Sequence, residues 1–434
     1  MISYDAQCHT RILIQAFLAW KSLLLLIAVS SGLGPGAYDT SSTLLSPDAV
    51  SFKESPFDLA TRLTRWDAIY FVQNARRGYV FEQEWAFGGG LPTVISGVVK
   101  LLGAVGIGNT GSLESWIGVS ISHVSHLLSV LVLYQLGLKV LREPRLSFIA
   151  ALLHVISPAG LFLSAPYNES AFALLSFTGY LLFAHGLGSR GTLNDLSILG
   201  SGIVFGLATT FRSNGLLSGI PFAVYAIIGF ANLVEAPNFL NLRRLIALGL
   251  GGLSVALGSI GPQAIAYFRF CSGSSASEPR PWCAKRLPSI YTFVQERYWG
   301  VGFLRYWTPG NIPLFLLAVP MIYLMMRSGL DILTNRFVGI STSKSQSLGS
   351  SRILPPGQSF LRTMAASQVI LTALAITTYH VQIITRISSA YPVWYWWLAQ
   401  NLQEGTRFAD GAVVFMVMYA AIQGVLFASF LPPA

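Results

Sequence analysis

The chain has 434 residues, 53% of them hydrophobic and only 11% charged, with a formal net charge of +10. Soluble domains carry about 25% charged residues, so this composition excludes an ordinary water-soluble fold and indicates an all-α polytopic membrane protein. The positive charge does not indicate nucleic acid, because the basic residues gather in short connections between apolar stretches, where they orient a membrane protein and attract lipid phosphates.

A membrane span needs about 20 mainly apolar residues. The first runs over 12–30 and contains Gln15 and Lys21. It is long for a cleavable signal, and Gly32-Leu33-Gly34-Pro35 is a poor cleavage site, so a retained anchor is expected. Residues 57–92 follow, mixing Asp67, Glu82 and Glu84 with arginines and aromatics. Leu59, Leu63, Trp66 and Tyr70 recur at helical spacing, which predicts one amphipathic helix over 57–76 lying in the membrane interface. Residues 91–107 are apolar but short and Gly-rich, and read as re-entrant or interfacial. Further spans are expected at 116–138, 147–165, 169–187, 196–211, 214–233, 245–269, 312–327, 362–382 and 411–430, about ten in all.

Basic residues set the orientation. Lys139, Arg142, Arg145, Arg190, Arg243 and Arg244, with those of the 328–361 segment and its edges, are assigned to the cytosolic side. Both termini then fall there too, and residues 31–90, 164–169, 212–215, 270–311 and 383–410 fall on the opposite, lumenal side. The Ser/Gly-rich 339–358 stretch has the composition of a flexible linker. No soluble domain is evident, and 1–434 reads as one integral membrane unit. Cys271 and Cys283 share one loop; in an oxidising compartment a disulfide and two free thiols are both open.

The lumenal loops also carry charge, against the bias that orients the chain, and such breaches are where function is sought. Asp67 is either a solvated carboxylate beside Arg62 and Arg65 or a proton acceptor for a hydroxyl nucleophile. Glu82 and Glu84 stand two residues apart, so at most one is expected to face a site. Glu169 opens a span in SAPYNESAF, either as a helix-start carboxylate or as part of a site. Asn168-Glu169-Ser170 is also a glycosylation sequon, set too close to the membrane for use. Arg212, in the FRSNG break, suits a lipid phosphate as well as a helix end. The stretch 281–313 and the stretch 380–397, with His380 and Arg386, read as aromatic belts with cations or as phosphate and sugar contacts. His123 and His126 read as a packed pair. No metal motif, phosphate-binding loop or sugar-nucleotide motif appears, so neither an essential metal nor a nucleotide-sugar donor is expected.

RWDAIYFVQNARRGYVFEQEWAF, SPAGLFLSAPYNESAFALLSF, FRSNG, PWCAKRLPSIYTFVQERYWGVGFLRYW, NIPLFLLAVP and HVQIITRISSAYPVWYWW follow one another in this order. As an ordered set they resemble the GPI mannosyltransferase 2 (PIG-V) family over most of the chain. The resemblance implies a GT-C glycosyltransferase of the endoplasmic reticulum membrane with interfacial helices in its first lumenal loop. It implies dolichyl phosphate mannose as donor, no further cofactor, and a GPI precursor lipid as acceptor of a second mannose in α-1,6 linkage. Asp67 matches the acidic position next to the reacting atoms, Glu82 and Glu169 match further acidic positions, and Arg212 and Asn214 match the RSNG turn. Arg65, Trp66, Trp282, Gln295, Arg297 and Arg386 lie in the matching stretches and are expected to contact substrate. A small membrane partner subunit is compatible with the basic 270–311 loop. The chain departs from the family in the glycines of AFGGGLP and at Leu314, departures expected to loosen nearby side chains. The alternatives are a transferase acting on the dolichol-linked oligosaccharide and a lipid transporter. The latter is disfavoured because no internal repeat is present and the charges sit at span ends.

Overall fold

A computed structural model describes residues 2–33, 58–107, 112–188, 191–272, 280–337 and 356–431. Arg190, Lys344, Arg352, residues 34–57 of the first loop and nearly all of the expected linker lie outside them. The described residues form helices and short 3-10 turns, without a strand. The helices are α1 (Ile2–Ser30), α2 (Leu59–Leu63), α3 (Asp67–Arg77), α4 (Gly90–Ala104), α5 (Leu113–Val140), α6 (Pro144–Val155), α7 (Asn168–Gly186) and α8 (Thr192–Phe211). They continue as α9 (Gly219–Glu235), α10 (Phe239–Cys271), α11 (Ile290–Arg297), α12 (Ile312–Leu333), α13 (Pro356–Thr377), α14 (Ile384–Ile387), α15 (Pro392–Gln403) and α16 (Arg407–Ala428).

Among the described residues, eight helical stretches are long and apolar enough to cross a membrane, rather than about ten. They correspond to α1, α5, α8, α9, α10, α12, α13 and α16. The expected span 147–165 stops as a helix at Val155, and the span at 169–187 is α7, whose first turn is the polar Asn168-Glu169-Ser170. Both run inside the bundle, where protein rather than lipid surrounds them. The 15-residue α4 is about 22 Å long, too short to cross.

The two ends of the bundle are defined by contacts between distant segments. At one end Arg76 pairs with Glu114, and Arg62 reaches Ser31 and the carbonyl of Ala428. At the other, His9 stacks on Phe148, and Asp195 pairs with Arg243 and Arg244. Two sequence expectations change here. Residues 383–410 do not lie at one end: α15 descends through the core, Trp397 donates to Asp331 near the end of α12, and Phe408 packs on Tyr323. The chain then returns through α16, and Phe430 lies against Trp66. The chain therefore starts at one end and finishes at the other. The missed passage, PVWYWWLAQNLQ, has 12 residues, about 18 Å, and most of it is fully buried. A search for long apolar windows passes over such a segment, because neighbouring helices supply the covering that lipid otherwise would. Reporters fused at the two termini are expected to be modified on opposite faces of the membrane, with the C-terminal one on the face of the Asp67 segment; labelling of both on one face contradicts this topology.

Cys271 and Cys283 are joined, with Cα atoms 5.7 Å apart. The bridge ties the end of α10 to Trp282, whose indole donates to Glu82 Oε1 at 2.9 Å. A cross-link closing a loop of this size contributes about 3 kcal/mol. Peptide mapping without reductant is expected to recover the linked pair, and replacing both cysteines with serine is expected to lower the unfolding temperature.

Candidate active site

The local chain path sets Asp67. The helix expected over 57–76 is two helices, α2 and α3, broken at Thr64–Trp66. Trp66 has φ 55°, a conformation that costs a non-glycine residue about 1–3 kcal/mol and persists only where packing enforces it. Here the Tyr167 hydroxyl donates to the carbonyl of Arg65 at 3.2 Å. The Arg65 guanidinium lies 4.9 Å from the Phe430 ring centre, and Trp66 meets the same ring edge-on at 5.0 Å. Apolar spacing records which side chains are buried, not whether the backbone is continuous, so periodicity passed over the break. Its consequence is chemical. Asp67 becomes the first residue of α3, at the positive end of the helix dipole, with its side chain still 37% exposed.

A chain of charges runs from Asp67 into the protein. Asp67 Oδ2 accepts from Arg386 Nη1 at 3.3 Å. Arg386 also donates from Nε to Glu169 Oε1 at 2.8 Å, and its guanidinium lies over the rings of Phe162 and Tyr167 at 4.3 and 4.9 Å. Glu169, fully buried in the first turn of α7, shares Oε1 with Arg212 Nη1 at 2.8 Å. Two carboxylates thus balance two arginines. Burial alone would weaken the charge on Arg386, but Glu169 and then Asp67 outweigh it and raise its pKa.

These groups border a cavity of about 320 Å³ at one end of the bundle. Asp67, Arg212, Asn214, Gln295 and Arg386 line it, and Glu169 stands behind its two arginines. Asn214 donates to the Tyr391 hydroxyl at 3.3 Å. The first loop, the α8–α9 break, α10, α11 and the 379–387 turn all contribute to the wall, so segments expected on one face of the membrane do converge.

Other expected site residues lie elsewhere. Arg65 and Trp66 do not line the cavity; they lock the turn before Asp67. Glu82 is buried and accepts from Trp282 and Arg280, so Glu82 and Trp282 fasten the 280–283 loop to the first loop. Arg297 is exposed, off the cavity wall. Glu84 is buried against Arg77 and the backbone amides of Val80 and Phe81 and does not line the cavity. The glycines of AFGGGLP tighten the structure rather than loosen it. Gly88 has φ 75°, and a Cβ there would strike the Phe211 carbonyl. Asn168 pins the same junction, donating to the carbonyls of Phe87 and Phe211 at 2.8 and 2.7 Å. The sequon asparagine is therefore buried with its amide engaged. Gln263, Tyr291, Trp299, Tyr379 and Gln382 also line the wall. Tyr291 and Trp299 belong to the 281–313 stretch and Gln382 to 380–397, both read above as belts or as phosphate and sugar contacts, whereas Gln263 and Tyr379 lie outside those stretches.

The described residues thus form a helical membrane bundle with a part-exposed carboxylate and two arginines on the wall of a cavity at one end. A profile of the Mannosyltransferase (PIG-V) family matches residues 11–434. The chain belongs to that family. It is 52% identical to the GPI mannosyltransferase 2 of Chaetomium globosum, over 99% of this chain and 98% of that one. It is 48% identical to the protein of the same name from Gibberella zeae, over 96% of both chains. It is 34% identical to the GPI alpha-1,6-mannosyltransferase 2 of Cricetulus griseus, over 79% of this chain and 73% of that one. Among solved structures, the Archaeoglobus fulgidus oligosaccharyltransferase in complex with Zn and sulfate has a TM-score of 0.45 and 16% identity. The match covers 93% of this chain and about half (53%) of that one.

Proposed function

We propose that the chain transfers mannose from dolichyl phosphate mannose to the 6-hydroxyl of the first mannose on a GPI precursor lipid, in α-1,6 linkage, at the lumenal face of the endoplasmic reticulum membrane. The relatives' names support the acceptor. The observation that carries the chemistry is the linked series Asp67–Arg386–Glu169–Arg212, of which Asp67, Arg386 and Arg212 line the cavity.

In this reading the donor lipid stays in the bilayer, and Arg212 and Arg386 hold its phosphate. Asp67 takes the proton of the attacking hydroxyl. The hydroxyl oxygen bonds to the anomeric carbon as the bond from that carbon to the phosphate oxygen breaks. The electron pair leaves with dolichyl phosphate, and attack from the opposite face turns a β-linked donor into an α product. The leaving phosphate gains a negative charge, so prepositioned guanidinium groups stabilise the transition state more than the ground state. Glu169 is the fixed counter-ion that keeps two like-charged arginines together in a buried place. Purified protein given a one-mannose GPI precursor is expected to form a two-mannose product with dolichyl phosphate mannose and none with a nucleotide-linked mannose. The reverse donor preference contradicts the proposal.

A further inference from the structure

His380 lies on the cavity wall between α13 and α14, beside residues that bind charge, yet its geometry suits a different ligand. Its Nε2 is 3.3 Å from the carbonyl oxygen of Trp299. A carbonyl only accepts, so Nε2 carries the hydrogen and Nδ1 is the bare nitrogen of the neutral ring. The one hydrogen bond His380 makes with the described residues is through Nε2, which leaves Nδ1 open. The ring is held flat against Tyr306, with centres 4.9 Å apart and planes 18° apart, and the Tyr306 hydroxyl donates to Gln382 Oε1 at 3.2 Å. The imidazole is thus fixed in tautomer and in orientation.

Burial lowers the pKa of His380; Asp67 opposes and Arg386 reinforces this. Asp67 on α3, Arg386 on α14 and the stacked Tyr306 are the titratable and charged groups that face it. A neutral nitrogen with a lone pair repels phosphate oxygens, which are acceptors too. It requires a donor, and the donors an acceptor sugar brings are hydroxyl groups. Trp299, also on the cavity wall, offers an apolar ring face suited to a sugar's C–H surface.

We propose that His380 is a substrate-orienting residue whose Nδ1 accepts a hydrogen bond from a hydroxyl of the acceptor sugar seated beside Asp67. This rests on the mannosyl-transfer reading above and deepens it, since it assigns the acceptor rather than the donor to this wall.

Two substitutions separate the ring's two nitrogens. Asparagine at 380 places a carbonyl oxygen where Nδ1 was; glutamine places an amide donor where Nε2 was and so keeps the tie to Trp299. In the transfer assay with a one-mannose GPI precursor and dolichyl phosphate mannose, His380→Asn is expected to stay within a few-fold of wild type. His380→Gln is expected to lose on the order of 10- to 100-fold in kcat/KM for the acceptor, the size of one unsatisfied buried hydrogen bond, with the donor KM unchanged. An active glutamine variant beside an inactive asparagine variant reduces His380 to a prop for Trp299 and overturns the inference. So does a loss that falls on the donor KM, or two variants equal to wild type. A wild type inert toward both substrates overturns the functional reading and takes this inference with it, so the two failures are distinguishable.

Discussion

Asp67→Asn is expected to lower mannosyl transfer by about 10²–10⁴-fold, the usual consequence of removing a general base, while protein abundance stays at the wild-type level. The geometry separates the two effects. Asparagine keeps the shape of the side chain and an oxygen for Arg386 Nη1, which lies 3.3 Å from Asp67 Oδ2. The turn before it is held by Arg65, Trp66, Tyr167 and Phe430, none of which is altered. The Asp67 side chain is also partly exposed, and Arg386 keeps its ion pair with Glu169. What is lost is the atom that can take the proton of the attacking hydroxyl. Transfer kinetics with purified protein, paired with immunoblotting of the expressed variant, measure the two separately. Transfer within a few-fold of wild type removes Asp67 from the reaction.

Arg386→Ala should be the most damaging substitution, because it strikes stability and chemistry together. Arg386 bridges Asp67 and the fully buried Glu169 and packs over Phe162 and Tyr167. Its removal leaves Glu169 with Arg212 alone, and breaking a buried ion pair costs about 3–5 kcal/mol. The donor phosphate loses one of its two proposed cations at the same time. Arg386→Lys divides these roles. A single ammonium can neutralise Glu169 but does not reproduce a planar fork that serves two carboxylates. The lysine variant is expected to keep more of the unfolding temperature than alanine while showing a raised donor KM and a lower kcat. Thermal unfolding in detergent and donor-titrated kinetics check the order. An alanine variant as stable and active as wild type contradicts the role given to this network.

The sequence carried much of the architecture, and the failures have physical causes. Long apolar helices such as α5, α10 and α16 were legible because lipid exposure forces every face to be apolar. The passage α15 was not, because tertiary packing lets a 12-residue helix be buried among other helices. That single omission displaced the C-terminus to the wrong end. At the site, Asp67, Arg212, Asn214, Gln295, Arg386 and Glu169 converge, since charge at the ends of apolar spans is costly unless it is paired or used. Glu82 and Trp282 looked equivalent in composition, yet they pair with each other away from the cavity. Which carboxylate faces a cavity depends on the fold of a loop, and composition does not encode it. The break at Trp66 was hidden for a similar reason: a strained φ is imposed by Tyr167 and Phe430, residues remote in sequence.

Mass analysis of GPI precursors in cells depleted of this protein and rescued with wild type or Asp67→Asn tests the proposed transfer and its base most directly. A precursor bearing one mannose should accumulate on depletion, disappear with wild type, and persist with the asparagine variant at equal expression. Truncated N-glycans with normal GPI precursors, or full rescue by Asp67→Asn, would contradict it.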